Sequence, residues 1–302
     1  MKNQQPAINP AVQIDPANFV DKIDNPFFPL QPGTTFNYQS TDGSVVDVFT
    51  VTNQTKTILG VECVVVQDNV FTDGKLSETT LDYFAQDKAG NVWYFGEDTK
   101  ELDANGKVVT TEGTWLAGKH GATPGIIMEA SPKVGDHYNQ EFAPGVAEDQ
   151  ATVDSLNAHV KVPFGNFNHV LDTTETTPLD PATLDHKFYA QGVGNVLSVD
   201  LATGERLELV SITHSGTASA AVTDTFNFDA LSTGAKAASL PHLADLTQVG
   251  ANIDLHSFGA SVSDHSLAGG HNLLDNTDGH HTGGTSHGLA GHLAPGVHDF
   301  DL

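Results

Sequence analysis

Apolar and polar residues alternate along most of the first two thirds of the chain, in runs that are short and bounded by turn residues. "TTFNYQS" (34–40) alternates cleanly, and "SVVDVFTVTNQTK" (44–56) comes after it with β-branched residues at every second position. "GVECVVVQDNVF" (60–71) and "KLSETTLDYFAQD" (75–87) flank the turn "TDGK", and "NVWYFGED" (91–98) comes after "DKAGN". "KVVTTEGTW" (107–115) comes after "DANGK". A period of two with Gly at the connections is the signature of antiparallel strands joined by tight hairpins, because the glycines supply the positive φ that such turns require. "ATVDSLNAHVKV", "NHVLDTTETT", "DHKFYAQG", "NVLSVD" and "ERLELVSITH" continue the pattern to residue 214. About ten strands of this kind predict a mainly β fold, a large antiparallel curved sheet or half-open barrel. Helical periodicity is weak. "DPANFVDKID" (15–24) and "SLPHLADLTQVG" (239–250) are the two candidates.

The pattern ends near residue 215. Residues 1–23 read as an N-terminal segment, 24–214 as the antiparallel β domain, and 215–302 as a low-complexity C-terminal tail. The tail holds nine Asp, no Glu, one cation (Lys236), no Trp or Tyr, and nine of the 15 histidines. Such a composition predicts a flexible or loosely repetitive segment.

Charge narrows the partners. The chain carries 13 Lys+Arg against 38 Asp+Glu, a formal net charge of −25. Nucleic acid and anionic membrane are excluded as favourable partners, whereas cations are drawn to it. The single cysteine, Cys63, sits among β-branched residues in "GVECVVVQD" and reads as a buried core thiol. There is no apolar run long enough for a transmembrane helix and no N-terminal segment resembling a secretory signal.

Three stretches, "NPFFPLQPGTTFNY" (25–38), "VKVPFGNFNHVLDTTE" (160–175) and "HKFYAQGVGNVLSVD" (186–200), stand in an order that resembles bacterial secreted and lipoprotein-type β domains of uncharacterised function. "TKTILGVECVVVQD" (55–68) and "YFAQDKAGNVWYFGEDTKE" (83–101) are similar to one subgroup of them. The likeness spans roughly residues 24–214. It implies a curved sheet or half-open barrel, and it implies no reaction. The residues "GVHDFDL" at 296–302 resemble the C-terminal signals of type I secretion substrates, which implies export by that route; a cytoplasmic location is the alternative.

The richest candidate chemistry lies between the two tryptophans, in "NVWYFGEDTKELDANGKVVTTEGTW" (91–115). Strict alternation places Val92, Tyr94 and Gly96 on one face and Trp93, Phe95 and Glu97 on the other. Pairing of the two strands then brings Trp115 near Trp93 and Glu112 opposite Glu97, with Asp98 at the strand end. Opposed carboxylates repel unless a cation or a shared proton joins them, and oxygen-only ligands favour calcium. Trp93, Phe95, Trp115, His120 and Met128 are the candidate lining of a ligand pocket. His120, His137 and Glu141, in the Gly-rich connection after the hairpin, offer a second metal set of two imidazoles and a carboxylate. In the tail, His271, His280, His281, His287, His292 and His298 fall within 28 residues and could take zinc, nickel or copper at several weak sites. "GTSHG" (284–288) matches a hydrolase nucleophile string but lacks the preceding strand and succeeding helix that the motif needs.

These readings lead to an exported binding protein, with a β pocket for a small or apolar ligand and divalent-cation binding through its acidic and His-rich segments. An enzyme of hydrolase or lyase type with a carboxylate/His pocket is one alternative. An extracellular structural or interaction module is the other.

Overall fold

A computed structural model of the chain describes residues 12–215. Among them the chain forms strands and turns, with one short 3-10 turn at Pro16–Asn18 and no α-helix. Asp15 caps that turn by accepting from the Ala17 N–H. "DPANFVDKID" is therefore a turn that leads into a strand. "SLPHLADLTQVG" lies outside the described residues, as does the whole of 216–302.

The strands obey the alternation of the sequence. In chain order they are β1 (Phe19–Val20), β2 (Thr34–Ser40), β3 (Val45–Ile58), β4 (Val61–Thr72), β5 (Lys75–Asp87), β6 (Val92–Leu102), β7 (Val108–Thr110) and β8 (Trp115–Leu116). Then come β9 (Thr123–Met128), β10 (His137–Asn139), β11 (Glu141–Phe142), β12 (Gln150–Val162), β13 (Gly165–Thr176), β14 (Asp185–Ala190), β15 (Gly194–Asp200) and β16 (Arg206–His214). Every pairing is antiparallel, and one path runs β10-β12-β13-β14-β15-β16-β2-β3-β4-β5-β6-β9-β11. Strand β1 pairs with β5, so residues ahead of Asp24 contribute to the sheet.

The two ends of that path meet in a single ribbon. Residues His137–Asn139 pair with β12, and Glu141–Phe142, just beyond Gln140, pair with β9. The sheet is thus a nearly closed barrel, which removes the exposed edges that an open sheet of this size would carry. The joint demands close backbone approach. A Cβ on Gly125 of β9 would stand 2.4 Å from the Gln140 carbonyl. Only glycine fits there.

Alternation produces an inward apolar layer that includes Phe36, Phe49, Val51, Val66, Val70, Phe84, Tyr94, Leu171, Tyr189 and Leu209, all buried. Cys63 is buried in this core, and burial pushes its thiol up to about 12. A single irregularity decides which side chains of β6 turn inward. On β5 and β6, Phe84 pairs with Tyr94 and Asp82 with Glu97, so β6 carries an extra residue in the Phe95–Gly96 step. Gly96 absorbs it with φ +137°, and a Cβ there would lie 2.5 Å from the Trp115 carbonyl oxygen. The bulge reverses the alternation, so that Tyr94 and Glu97 face inward together.

Gly96→Ala should therefore strain the backbone and drive β8 away from β6. The expected loss is about 3 kcal/mol of unfolding free energy, read by urea denaturation. Gly106→Ala, at a turn where an added Cβ meets nothing within 4 Å, has only its positive φ to contend with. It should cost about 1 kcal/mol.

Candidate functional site: a buried carboxyl network

The inward face is not wholly apolar. Nine carboxyl side chains are buried among the described residues: Asp47, Asp68, Glu78, Asp82, Asp87, Glu97, Glu141, Asp149 and Glu175. Lys187 is the one buried amine among them. Asp87 serves a turn, accepting from the Asn91 side chain and from the Trp93 indole at 2.9 Å each. The others meet in two groups.

The first group spans β2–β6. Tyr38 faces Asp47, Asp68 faces Thr80, Thr80 faces Thr99, and Asp82 faces Glu97. The Tyr94 hydroxyl donates to Asp82 Oδ1 at 2.7 Å and lies 3.1 Å from Glu97 Oε2. Thr80 and Thr99 stand 2.7 Å apart, and Thr80 donates to Glu78 Oε1 at 2.8 Å. Burial holds the Asp47 carboxyl well above the usual carboxylate range, and the charge of Asp68, then a hydrogen bond to it, push it further. Two ionised carboxylates side by side in a buried site repel, which favours a state in which one of them keeps its proton. Tyr38 and Tyr94 are pushed up in turn, first by burial and then by these carboxyls.

The second group lies under the closing ribbon. Glu175 of β13 accepts from Lys187 Nζ at 2.9 Å, Gln140 Nε2 at 3.0 Å and the Tyr189 hydroxyl at 3.2 Å. Burial opposes the Lys187 charge, but Glu175 holds it and raises its pKa. Glu141 is different. It is fully enclosed, and burial, then Asp149 and Glu97, drive its carboxyl well above the usual range. The Trp115 indole N–H faces it without closing a well-formed hydrogen bond.

The expected tryptophan-hairpin site is not assembled. Glu97 pairs with Trp115 and with Asp82, while Trp93 pairs with Ile126, so the two indoles are not cross-strand neighbours. The Gly96 bulge reverses the face that strict alternation would have given Glu97. Glu112 is exposed beyond β7, and Asp98 points outward to an ion pair with Lys100 at 2.8 Å. Glu97, Asp98 and Glu112 thus occupy three different environments.

The expected pocket residues are dispersed in the same way. Phe95, Trp115 and Met128 are buried core, Trp93 is half-buried against Phe19, and His120 is exposed at a turn with φ 49°. His120, His137 and Glu141 do not converge. His137 is exposed, with Nδ1 2.9 Å from Thr152 Oγ1, whereas Gln140 and Glu141 are consecutive buried residues that break the alternation where the ribbon changes partners. A cavity lined by Phe28, Leu30, Phe36, Tyr38, Phe49 and Asn195 holds about 20 Å³, room for one water. The six tail histidines lie outside the described residues.

The sequence carries a signal for the inward carboxyls that the hairpin reading overlooks. Asp47 stands between Val45 and Phe49, and Asp68 between Val66 and Val70, at inward positions of alternating strands. A carboxylate in an apolar register is the mark to look for.

Raised carboxyl pKa values fix the sign of the pH dependence. Folded Asp47 and Glu141 hold protons that the unfolded chain releases near pH 4. Their stabilising contribution is complete below that pH and is lost as pH rises through the folded values. Unfolding free energy should therefore fall as pH rises from the unfolded carboxyl range toward the raised folded values, by up to about 1.4 kcal/mol per pH unit for each proton retained. Asp47→Asn should remove one proton's share of the slope in urea titrations across that range.

No family model matches the chain, and no curated protein does. Two solved structures match. One is a protein from Bacteroides fragilis NCTC 9343 described as exported, with a YmcC-like fold; it has 15% identity and a TM-score of 0.36 over 62% of this chain and 98% of its own. The other is a protein from Parabacteroides distasonis ATCC 8503 described as a lipoprotein, with 10% identity and a TM-score of 0.34 over the same shares.

Proposed function

We propose that this chain is an exported cation-binding β-barrel module whose inward carboxyls exchange protons for a hard divalent cation, calcium foremost. The observation that carries the reading is Glu141, fully enclosed with neither oxygen closing a well-formed hydrogen bond, beside Asp149 and Glu97 and with Lys187 as the nearby amine. Such a group is stable when protonated or when a cation balances it, and the surrounding carboxyl oxygens suit calcium. The strong negative charge of the chain adds a long-range attraction for cations.

The cavity beside Tyr38 is water-sized and adds no support for a small apolar ligand. The enclosure of Asp82, Tyr94 and Glu97 favours binding over turnover, because a substrate would need to reach them. The tail belongs to the same proposal, as a softer metal-binding segment through His271–His298 and as the address for export.

Calcium added to the metal-stripped full chain at pH 8 should raise the melting temperature by several degrees and release protons to the solvent. At pH 5 both effects should shrink, because protons hold the sites. Asp82→Asn with Glu97→Gln should abolish the response. An unchanged melting temperature and no proton release at pH 8 would reject the cation reading. A double variant that is more stable than the parent, in a protein that ignores calcium, would show that the carboxyls only repel each other.

A further inference from the structure

The outer face of β12–β14 carries a second group of ligating atoms, separate from the barrel interior and independent of the calcium proposal. Asp154, Asp172 and His186 each offer one ligand atom, and these atoms lie within 4.8 Å of one another. His186 Nδ1 is 2.9 Å from Asp172 Oδ1, and its Nε2 is 3.2 Å from Thr174 Oγ1. The Thr174 hydroxyl donates to Asp154 Oδ2. Both imidazole nitrogens therefore face oxygens of a single cluster.

Three strands build this arrangement. Thr174 of β13 pairs directly with His186 of β14, and Asp172 lies one inter-residue repeat along the same outward row. On β12, Val153 pairs with Thr173 and Ser155 with Asp172, so Asp154 is the extra residue of a bulge. A bulge re-aims its side chain, and this one turns Asp154 toward Thr174 and His186. Short side chains on paired strands leave little freedom to lose on binding. The neighbours on the opposite face, Val153, Thr173, Glu175 and Lys187, are buried, which anchors the strands beneath.

We propose that Asp154, Asp172 and His186 form an open surface site for a borderline divalent transition-metal ion of the zinc class, with Thr174 as the positioning residue. Zinc holds imidazole nitrogen and carboxylate oxygen at about 2.0–2.2 Å, so tetrahedral ligand atoms stand roughly 3.4 Å apart. The 2.9 Å separation of His186 and Asp172 is already within a small rotation of that edge. Two carboxylates and one imidazole carry an excess of negative charge that a divalent ion offsets, while the nitrogen favours zinc-class ions over calcium. A metal would bind the ring nitrogen that carries a lone pair, the other nitrogen keeping its proton, and Asp154, which is exposed, leaves the approach open. His137 belongs to the same row through Thr152 but lies three strand spacings from His186, about 14 Å, and cannot share the ion. An Asp172–His186–Thr174 nucleophile relay is disfavoured, because the Thr174 proton is directed to Asp154 and not to the imidazole.

The test uses the full chain with residue-resolved NMR, so that the tail histidines do not confuse the result. Substoichiometric cobalt(II) should broaden the amide signals of Asp154, Asp172 and His186, and zinc should raise the melting temperature of the barrel by several degrees. His186→Gln should abolish the local broadening and the zinc-dependent rise, with calcium responses unchanged. Asp154→Asn, at an exposed position, should weaken zinc binding at least tenfold while the zinc-free melting temperature stays near that of the parent. Broadening confined to residues 216–302 with no effect on the barrel's melting would overturn the proposal. So would a zinc-independent ester hydrolysis that Thr174→Val removes, since it would show a relay in place of a metal site.

Discussion

Placing carboxyl groups inside a β-barrel is the constraint on which the rest of this structure depends. An ionised carboxylate moved from water into a protein interior costs several kcal/mol even after relaxation, and it is retained only if paired, hydrogen-bonded or neutralised. Lys187 pairs with Glu175, and three further donors serve the same carboxyl. No other buried amine is present among the described residues, so the remaining inward carboxyls need another solution. Burial and the neighbouring Asp68 favour the protonated form of Asp47, and the Tyr94 hydroxyl donates to Asp82 beside Glu97. Raised carboxyl pKa values favour protons in the interior, which ties the fold to pH in a direction opposite to that of ordinary salt-bridged proteins.

Closure of the barrel makes that interior possible. An open sheet would leave these groups in contact with water, where they would ionise and repel. The ribbon His137–Phe142 joins the two ends of the sheet by pairing first with β12 and then with β9. At its turning point Gln140 reaches across to Glu175, while Glu141 is carried inward beside Trp115. The same few residues complete the backbone pairing and complete the carboxyl network. Gly125 and Gly96 permit the two closest backbone approaches on this side, and the Gly96 bulge decides which side chains of β6 face in.

Much of the fold was legible because alternation and turn chemistry agree. The runs at 34–40, 44–56, 60–71, 75–87 and 91–98 became β2–β6 in the expected meander, and the later runs became β12–β16. The site was less legible, and for a local reason. Alternation predicts faces only while each strand keeps its register, and a single extra residue at Gly96 moved Glu97 inward, while Glu97 pairs with Trp115 and Glu112 falls between β7 and β8. The change of partner at Gln140 likewise separated His137 from Glu141, four residues on. Asp154, Asp172 and His186 are distant in sequence and come together through strand pairing and a bulge, neither of which spacing alone reveals. Asp47 and Asp68 were visible as carboxylates in apolar registers, and the energetic oddity of those positions was the available clue.

If the closed barrel keeps carboxylic acids protonated at neutral pH, infrared difference spectroscopy of the full chain in D₂O reads them directly. The C=O stretch of a protonated acid is separate from the carboxylate bands. A protonated-acid band is expected at pH 7, smaller in Asp47→Asn and absent when the protein is unfolded at the same pH. A folded protein at pH 7 whose carboxyl spectrum contains carboxylate bands alone would contradict the protonated interior.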